Sequence, residues 1–203
     1  MKNSAVILAG GFSKRFGQDK ALIELADKPL ILHVIDNVSK IVEETVVVVS
    51  SEAQKETFEC LLGHKASVVI DKHKAQSPLV GALAGFEGAY GEYSLLLPCD
   101  TPFVSSQIMR FLLDLCINKG AVIPRWPSGY IEPLQAAYHT KSALTAAKTA
   151  LEEGKLDLQS MIARLRDVRY VSTMVLRQMD SQLLTFFNIN TLGDLKRAES
   201  LLK

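Results

Sequence analysis

The sequence predicts an α/β fold with three layers, in which a largely parallel (mixed) sheet has helices on both faces. Several short apolar runs lack polar alternation, and this is typical of strands that are buried on both sides. Segments with apolar residues at helical spacing separate these runs, and alternating strands and helices build a mostly parallel sheet. We expect the 203 residues to form a single domain, 1–203.

The predicted strands are the apolar or β-branched runs of the chain. The later runs are shorter or contain more polar residues. The first two are Ala-Val-Ile-Leu-Ala at 5–9 and Thr-Val-Val-Val-Val-Ser at 45–50. We expect the remaining strands at 67–71, 94–98, 121–124, 133–138, 168–172 and 186–190.

Capping residues and spacing define the predicted helices. We expect Pro29 in the first turn of a helix that runs to residue 40. Ser50 or Ser51 should cap the next helix, which Gly63 ends. Pro78 starts a glycine-containing helix, whose Gly81 and Gly85 would let a ligand or a strand approach closely. Further helices are predicted at 105–118, 141–152 and 157–165, and after a Thr191 cap.

Composition argues against several classes of partner. The net charge of +1 gives no overall field that would favour nucleic acid or an acidic membrane surface. No apolar run approaches the roughly 20 residues that span a bilayer. The three cysteines form no C-x-x-C pair and are expected to be buried, reduced thiols. We therefore expect a cytoplasmic protein that binds neither nucleic acid nor membrane.

The first strand runs directly into a glycine-rich, basic loop. Gly10 and Gly11 follow the strand, and Lys14, Arg15 and Lys20 come next. Glycine permits positive φ or close approach of a ligand, and exposed N–H groups with nearby cations form a cradle for a polyphosphate. The spacing matches neither the Walker motif nor G-x-G-x-x-G. A tight turn with solvated charges is the alternative interpretation.

Two acidic residues follow predicted strands and should reach the same edge of the sheet. Asp100 comes just after the strand at 94–98, and Asp71 ends the strand at 67–71. Phosphate chemistry needs a divalent metal, and Mg²⁺ prefers carboxylate oxygens, so Asp100 is the candidate ligand. Either residue could instead be a turn acid. No histidine–acid pair suggests a general base, and a phosphate nucleophile would need none.

Four blocks of sequence together resemble the molybdenum cofactor guanylyltransferases (MobA-like), which belong to the nucleotidyltransferases with a Rossmann-like sheet. The blocks are residues 8–22 (Leu-Ala-Gly-Gly-Phe-Ser-Lys-Arg-Phe-Gly-Gln-Asp-Lys-Ala-Leu), 77–81 (Ser-Pro-Leu-Val-Gly), 98–103 (Pro-Cys-Asp-Thr-Pro-Phe) and 188–191 (Asn-Ile-Asn-Thr). The first block indicates the superfamily, and the last two narrow the assignment. The resemblance runs from residue 5 to about 195.

The resemblance implies specific roles for residues of this chain. The family's reaction joins GMP from GTP to the terminal phosphate of molybdopterin, with Mg²⁺ as cofactor and pyrophosphate leaving. Arg15, Lys20 and Asp100 would be catalytic, and Asp100 would bind the metal. The implied nucleotide-binding residues are Leu8, Ala9, Gly10, Gly11, Lys20, Asp71 and Asp100. Asn188 and Asn190 would face the pterin, and transient contact with cofactor-insertion proteins or molybdoenzymes is possible.

Some alternatives remain open at this stage. Guanine-using relatives tend to have Ala-Gly-Gly in the first block, as here, whereas cytosine-using ones have Ala-Ala-Gly. Ser77 and Val80 depart from the glycine and alanine common in the family, and larger residues there would tighten the nucleobase or pterin pocket. A cytidylyltransferase or a sugar-phosphate nucleotidyltransferase is the alternative enzyme. A nucleotide-sensing domain is the alternative outside enzymes.

Overall fold

A computed structural model describes residues 2–13, 16–73 and 75–202. One sheet holds seven strands in the order β11-β9-β10-β8-β1-β6-β7, and two short hairpins pair β2 with β3 and β4 with β5. The strands are β1 (Asn3–Leu8), β2 (Phe12–Ser13), β3 (Gln18–Asp19), β4 (Glu24–Leu25), β5 (Lys28–Pro29), β6 (Glu44–Val49), β7 (Ser67–Ile70), β8 (Tyr93–Pro98), β9 (Ala121–Arg125), β10 (Ala136–His139) and β11 (Val168–Ser172).

Strand directions explain why ligands would gather at one edge of the sheet. Strand β10 runs antiparallel to both of its neighbours, and the other pairings of the sheet are parallel. The central strand β1 lies between β6 and β8, so the carboxyl ends of these three strands meet at one place. Crevices at that edge are the usual ligand sites of open α/β sheets.

Helices cover both faces of the sheet. They are α1 (Leu30–Val38), α2 (Glu52–Leu62), α3 (Pro78–Gly88), α4 (Ser106–Cys116), α5 (Thr140–Glu152), α6 (Leu158–Ile162), α7 (Thr173–Leu176) and α8 (Leu192–Leu201). Along β1, Ala5 and Ile7 pack into the core formed with α1, α2 and α4, and Val6 packs into the core formed with α3, α5 and α6. The predicted three-layer α/β fold is therefore confirmed.

Glycines bring α3 close to the first strand. A Cβ on Gly85 would lie 2.1 Å from Val6 Cγ1, and one on Gly81 would lie 3.2 Å from Leu8 Cδ2. The two glycines therefore let strand β1 approach this helix closely. Close approach of a strand is one of the two roles that the sequence predicts for them. Ser77 caps α3, because its side chain accepts a hydrogen bond from Val80 N.

Several expectations about individual elements are wrong. The predicted strand at 186–190 is absent: Leu184–Phe186 is a 3₁₀ turn, and the segment after it joins no sheet. Strand β10 begins at Ala136 rather than 133, so residues 133–135 remain outside the ladder. Pro29 pairs in β5 and precedes α1 with a ψ of 140°, so it caps the helix rather than forming its first turn.

The segment after the 3₁₀ turn packs beside the sheet. Ile189 is fully buried in a small cluster with Ile23, Leu25, Leu30 and Ala198, which joins the β4–β5 hairpin to α8. All three cysteines are free, and Cys99 and Cys116 are buried, but Cys60 is exposed, contrary to expectation. Among the residues that the structure describes, no helix has the length and apolar character needed to cross a bilayer.

Candidate functional site

A cleft of about 410 Å³ lies at the carboxyl ends of β1, β6 and β8, and we call it the central cleft. Six of the predicted nucleotide-site residues line it: Leu8, Gly10, Gly11, Lys20, Asp71 and Asp100. Ala9 does not, because it is buried in the same core cluster as Ala5 and Ile7. Arg15 lies outside the described residues. The sheet thus brings together acids and glycines that are up to 90 positions apart, as from Gly10 to Asp100.

Close packing, not unusual backbone conformation, explains the glycine at position 10. Neither Gly10 nor Gly11 has positive φ, whereas Gly17 does, at 68°. The Gly10 carbonyl accepts a hydrogen bond from Ser50 Oγ at 2.8 Å. A Cβ on Gly10 would lie 2.2 Å from Ser50 Oγ. Ser50, which sequence reasoning considered only as a helix cap, therefore anchors the loop to the end of β6.

The loop is held at its far end as well. Lys20 N donates to the Gly11 carbonyl at 3.3 Å, which closes the loop on itself. Asp19 accepts a hydrogen bond from Gln54 Nε2 at 2.9 Å, and Gln54 Oε1 accepts from Ser50 N at 2.8 Å. The side chain of Gln54 on α2 therefore links both ends of the loop. Gly11 is exposed, and none of the atoms that the structure describes lies within 4 Å of the position a Cβ would take.

Lys20 connects the glycine loop with two other segments. Its Nζ forms an ion pair with Asp100 Oδ2 and donates a hydrogen bond to Asn190 Oδ1 at 2.6 Å. The Lys20 side chain is about one-fifth exposed, so the ammonium group still faces the cleft. Asn190 therefore contacts a catalytic candidate, whereas the sequence led us to expect that it faces the pterin.

Asp100 is fixed by backbone hydrogen bonds on both sides of the turn that follows β8. Cys99 N donates to Leu8 O at 3.2 Å, and Ile189 N donates to Asp100 O at 3.0 Å. The Asp100 carboxylate is nearly buried, and within the described chain its Oδ1 has no hydrogen-bond partner. A buried carboxylate oxygen that has no partner among the described residues and lies beside an open cleft suits a divalent cation.

The donor set around Asp100 suits Mg²⁺ shared with a substrate. No group of three or more His, Cys, Asp or Glu side chains that could hold a metal occurs in the described ranges. Magnesium is commonly bound by one or two carboxylates together with substrate phosphates and water, so a complete protein cage is not required.

Asp71 and Cys99 occupy different environments in the same cleft. Asp71 N donates to Val49 O at 2.8 Å, which extends the end of β7 toward β6. Burial raises the pKa of Asp71, and the hydrogen bond from His73 N to its Oδ1 opposes that shift. Burial raises the pKa of the Cys99 thiol far above its usual range, so this residue is not a thiolate nucleophile at neutral pH.

A second cleft of about 600 Å³ adjoins the first, and we call it the adjoining cleft. Four residues line both clefts: Pro78, Pro98, Asp100 and Leu134. Asn188, one of the two predicted pterin residues, lines the adjoining cleft, as does Glu132, which sequence reasoning missed. The acid adjacent to Pro133 was the available signal, but only the fold shows which cleft it reaches. Asp100 therefore stands at the junction of two ligand-sized spaces.

Comparisons with known proteins agree with this arrangement. The family model described as "MobA-like NTP transferase domain" matches residues 5–168. A "Probable molybdenum cofactor guanylyltransferase" of Methanosarcina mazei is 33% identical over 95% of this chain and 88% of its own length. A "Molybdenum cofactor guanylyltransferase" of Desulfosudis oleivorans is 32% identical over 98% of this chain and 96% of its own length.

Solved structures extend the likeness to the fold. The molybdopterin-guanine dinucleotide biosynthesis protein A of Archaeoglobus fulgidus is 31% identical, with a TM-score of 0.83 over 98% of each chain. A 2-C-methyl-D-erythritol 4-phosphate cytidylyltransferase of Thermus thermophilus has a TM-score of 0.74 at 19% identity, which shows the fold alone. The resemblance seen in the sequence is confirmed, and the chain belongs to the MobA-like NTP transferase family, a family of nucleotidyltransferases.

Proposed function

We propose that this protein is a Mg²⁺-dependent guanylyltransferase that transfers GMP from GTP to the terminal phosphate of molybdopterin. An oxygen of that phosphate attacks the α-phosphorus of GTP, and the bond from this phosphorus to the bridging oxygen breaks. Pyrophosphate leaves, and the product is the molybdopterin guanine dinucleotide. The observation that carries the proposal is the position of Asp100, which lines both clefts and has a buried carboxylate oxygen without a hydrogen-bond partner among the described residues.

The central cleft would hold GTP. Gly10 and Gly11 would lie beside the phosphate oxygens at the end of β1, and Leu8 and Asp71 would complete the nucleotide site. Arg15 is proposed as a further phosphate ligand on the resemblance alone. Asp100 would hold the metal, which would neutralise charge on the phosphate oxygens. Because the attacking phosphate is already an anion, no general base is needed.

Lys20 would supply the second positive charge. A lysine ammonium about 4 Å from a phosphate oxygen contributes about 4 kcal/mol at an effective dielectric constant near 20. That free energy corresponds to about three orders of magnitude in rate if it is realised only in the transition state. The contacts of Lys20 with Asp100 and Asn190 keep its ammonium at the junction of the clefts before substrates bind.

The adjoining cleft would hold molybdopterin, with Asn188 among its ligands. A single domain, 1–203, would carry both sites, and the protein would act in the cytoplasm. The proposal also includes transient contact with cofactor-insertion proteins or molybdoenzymes.

A substrate panel tests the proposed reaction: purified protein is incubated with molybdopterin, Mg²⁺ and each NTP in turn. We expect pyrophosphate release with GTP, and a clear preference for CTP would contradict the guanine assignment. Binding of GTP without turnover would favour a nucleotide-sensing domain instead.

A further inference from the structure

We propose that Glu132 recognises the pterin ring of the acceptor, and so sets acceptor specificity in the adjoining cleft. This inference rests on the proposed function. Glu132 and Asp100 line the same cleft. A single ligand in that cleft could therefore contact both carboxylates, each with a different part of the ligand.

The Glu132 side chain is held in place by its neighbours. Trp126 Nε1 donates a hydrogen bond to Glu132 Oε1 at 2.7 Å. The Trp126 ring packs edge-on against Phe186, with ring centroids 5.7 Å apart. The backbone is also fixed, because Glu132 N donates to Pro124 O at 3.0 Å. A carboxylate held this way loses little conformational entropy when it binds a ligand.

Among the described residues that line this cleft, Glu132 is also the carboxylate that neither caps a helix nor pairs with a lysine. Asp157 lines the cleft too, but its two oxygens accept from Ser160 N and Ser160 Oγ, both at 2.8 Å, where it caps α6. Asp100 is paired with Lys20. Within the described part of the chain, Glu132 accepts one hydrogen bond, from Trp126, of the four that two carboxylate oxygens can accept. Burial raises the pKa of Glu132, although the Trp126 hydrogen bond opposes the shift.

The chemistry of a pterin complements this carboxylate. The pyrimidine part of the ring presents a ring N–H and an exocyclic amino group side by side, and two parallel donors match the two oxygens of a carboxylate. Tyr130, also in this cleft, is 61% exposed and provides an aromatic surface on which a planar ring can stack. The terminal phosphate of such a ligand would then reach toward Asp100.

Steady-state kinetics of Glu132→Gln test this inference. Glutamine keeps an oxygen that can accept from Trp126, but it places an amide N–H₂ where the pterin donors need an acceptor. We expect the KM for molybdopterin to rise by about 10- to 100-fold, as for loss of a charge-assisted hydrogen bond. The Kd for GTP and the kcat at saturating molybdopterin should stay within about threefold of the unmutated protein.

Two further variants make the test decisive. Trp126→Phe removes the indole N–H and should raise the same KM by a smaller factor, and it serves as the second variant if Glu132→Gln does not fold. Glu92→Gln is the matched control. Glu92 is exposed and comes just before β8, at the end of that strand away from the clefts, so this change should alter neither the KM for molybdopterin nor the Kd for GTP.

An unchanged KM for molybdopterin in Glu132→Gln, or equal rises in KM and in the Kd for GTP, would overturn the inference while leaving guanylyl transfer intact. Turnover of the unmutated protein only with acceptors that lack a pterin would overturn both proposals.

Discussion

Gly10 offers a sharp test of how the glycine loop is built. A Cβ at this position would lie 2.2 Å from Ser50 Oγ and 3.3 Å from Ser50 N, so Gly10→Ala forces the serine hydroxyl to move. Its hydrogen bond to the Gly10 carbonyl is then lost. Overpacking of this kind costs about 1–3 kcal/mol, to which the hydrogen bond adds about 1 kcal/mol. We expect Gly10→Ala to lower the free energy of unfolding by about 2–4 kcal/mol.

A double-mutant cycle identifies the cause. Ser50→Ala removes the clashing oxygen and leaves contacts of 3.3 and 3.4 Å, to Ser50 N and Ser50 Cβ, that small shifts can absorb. The double variant should therefore be more stable than the sum of the two single changes predicts, by at least about 1 kcal/mol. Gly11→Ala is the matched control. No atom of the described residues lies within 4 Å of its Cβ position, so its free energy of unfolding should change by less than about 0.5 kcal/mol.

Urea unfolding gives the stabilities, and titration with GTP gives the affinities. We expect Gly11→Ala to weaken GTP binding without destabilising the fold, since Gly11 lines the central cleft. The reasoning would be refuted if Gly10→Ala were as stable as Gly11→Ala, or if the two changes at Gly10 and Ser50 were strictly additive.

Two other predictions concern Lys20 and the segment that holds it. Lys20→Ala should lower kcat/KM by about three orders of magnitude, because one cation beside the phosphates is lost; steady-state rates within tenfold of normal would count against its role. Thr191→Ala should lower the free energy of unfolding by about 1 kcal/mol, because Thr191 and Asp194 cap α8 reciprocally. Urea unfolding measures that change, and Ser200→Ala, near the other end of α8, is its control; equal stability of the two variants would refute the capping argument.

The apolar runs predicted the sheet well, because strands buried on both faces leave an unambiguous pattern. The cleft edge could be predicted for the same reason, since Gly10 and Asp100 each follow such a run. The segment 186–190 was predicted wrongly because Phe-Asn-Ile-Asn at 187–190 alternates like an edge strand. In the structure Ile189 instead fills a side cluster with Leu25 and Leu30, and its N–H bonds to the Asp100 carbonyl.

Contacts between distant segments could not be read from local pattern. The Ser50–Gly10 hydrogen bond joins residues 40 positions apart, and the Lys20–Asn190 hydrogen bond joins residues 170 apart. Glu132 becomes a candidate only once the chain bridges back at Arg125 and Ile131 and Trp126 turns its indole toward the carboxylate. Each of these contacts depends on tertiary packing that no motif encodes.

Pyrophosphate release by Asp100→Asn, measured against Mg²⁺ concentration with GTP and molybdopterin, tests the central claim most directly. The substitution is isosteric, and Lys20 keeps its hydrogen bond to Asn190. We expect the fold to be retained and turnover to fall by about three orders of magnitude, because a full charge at the metal is removed. Normal turnover with a normal Mg²⁺ dependence would contradict the assignment of Asp100 as the metal ligand at the junction of the two clefts.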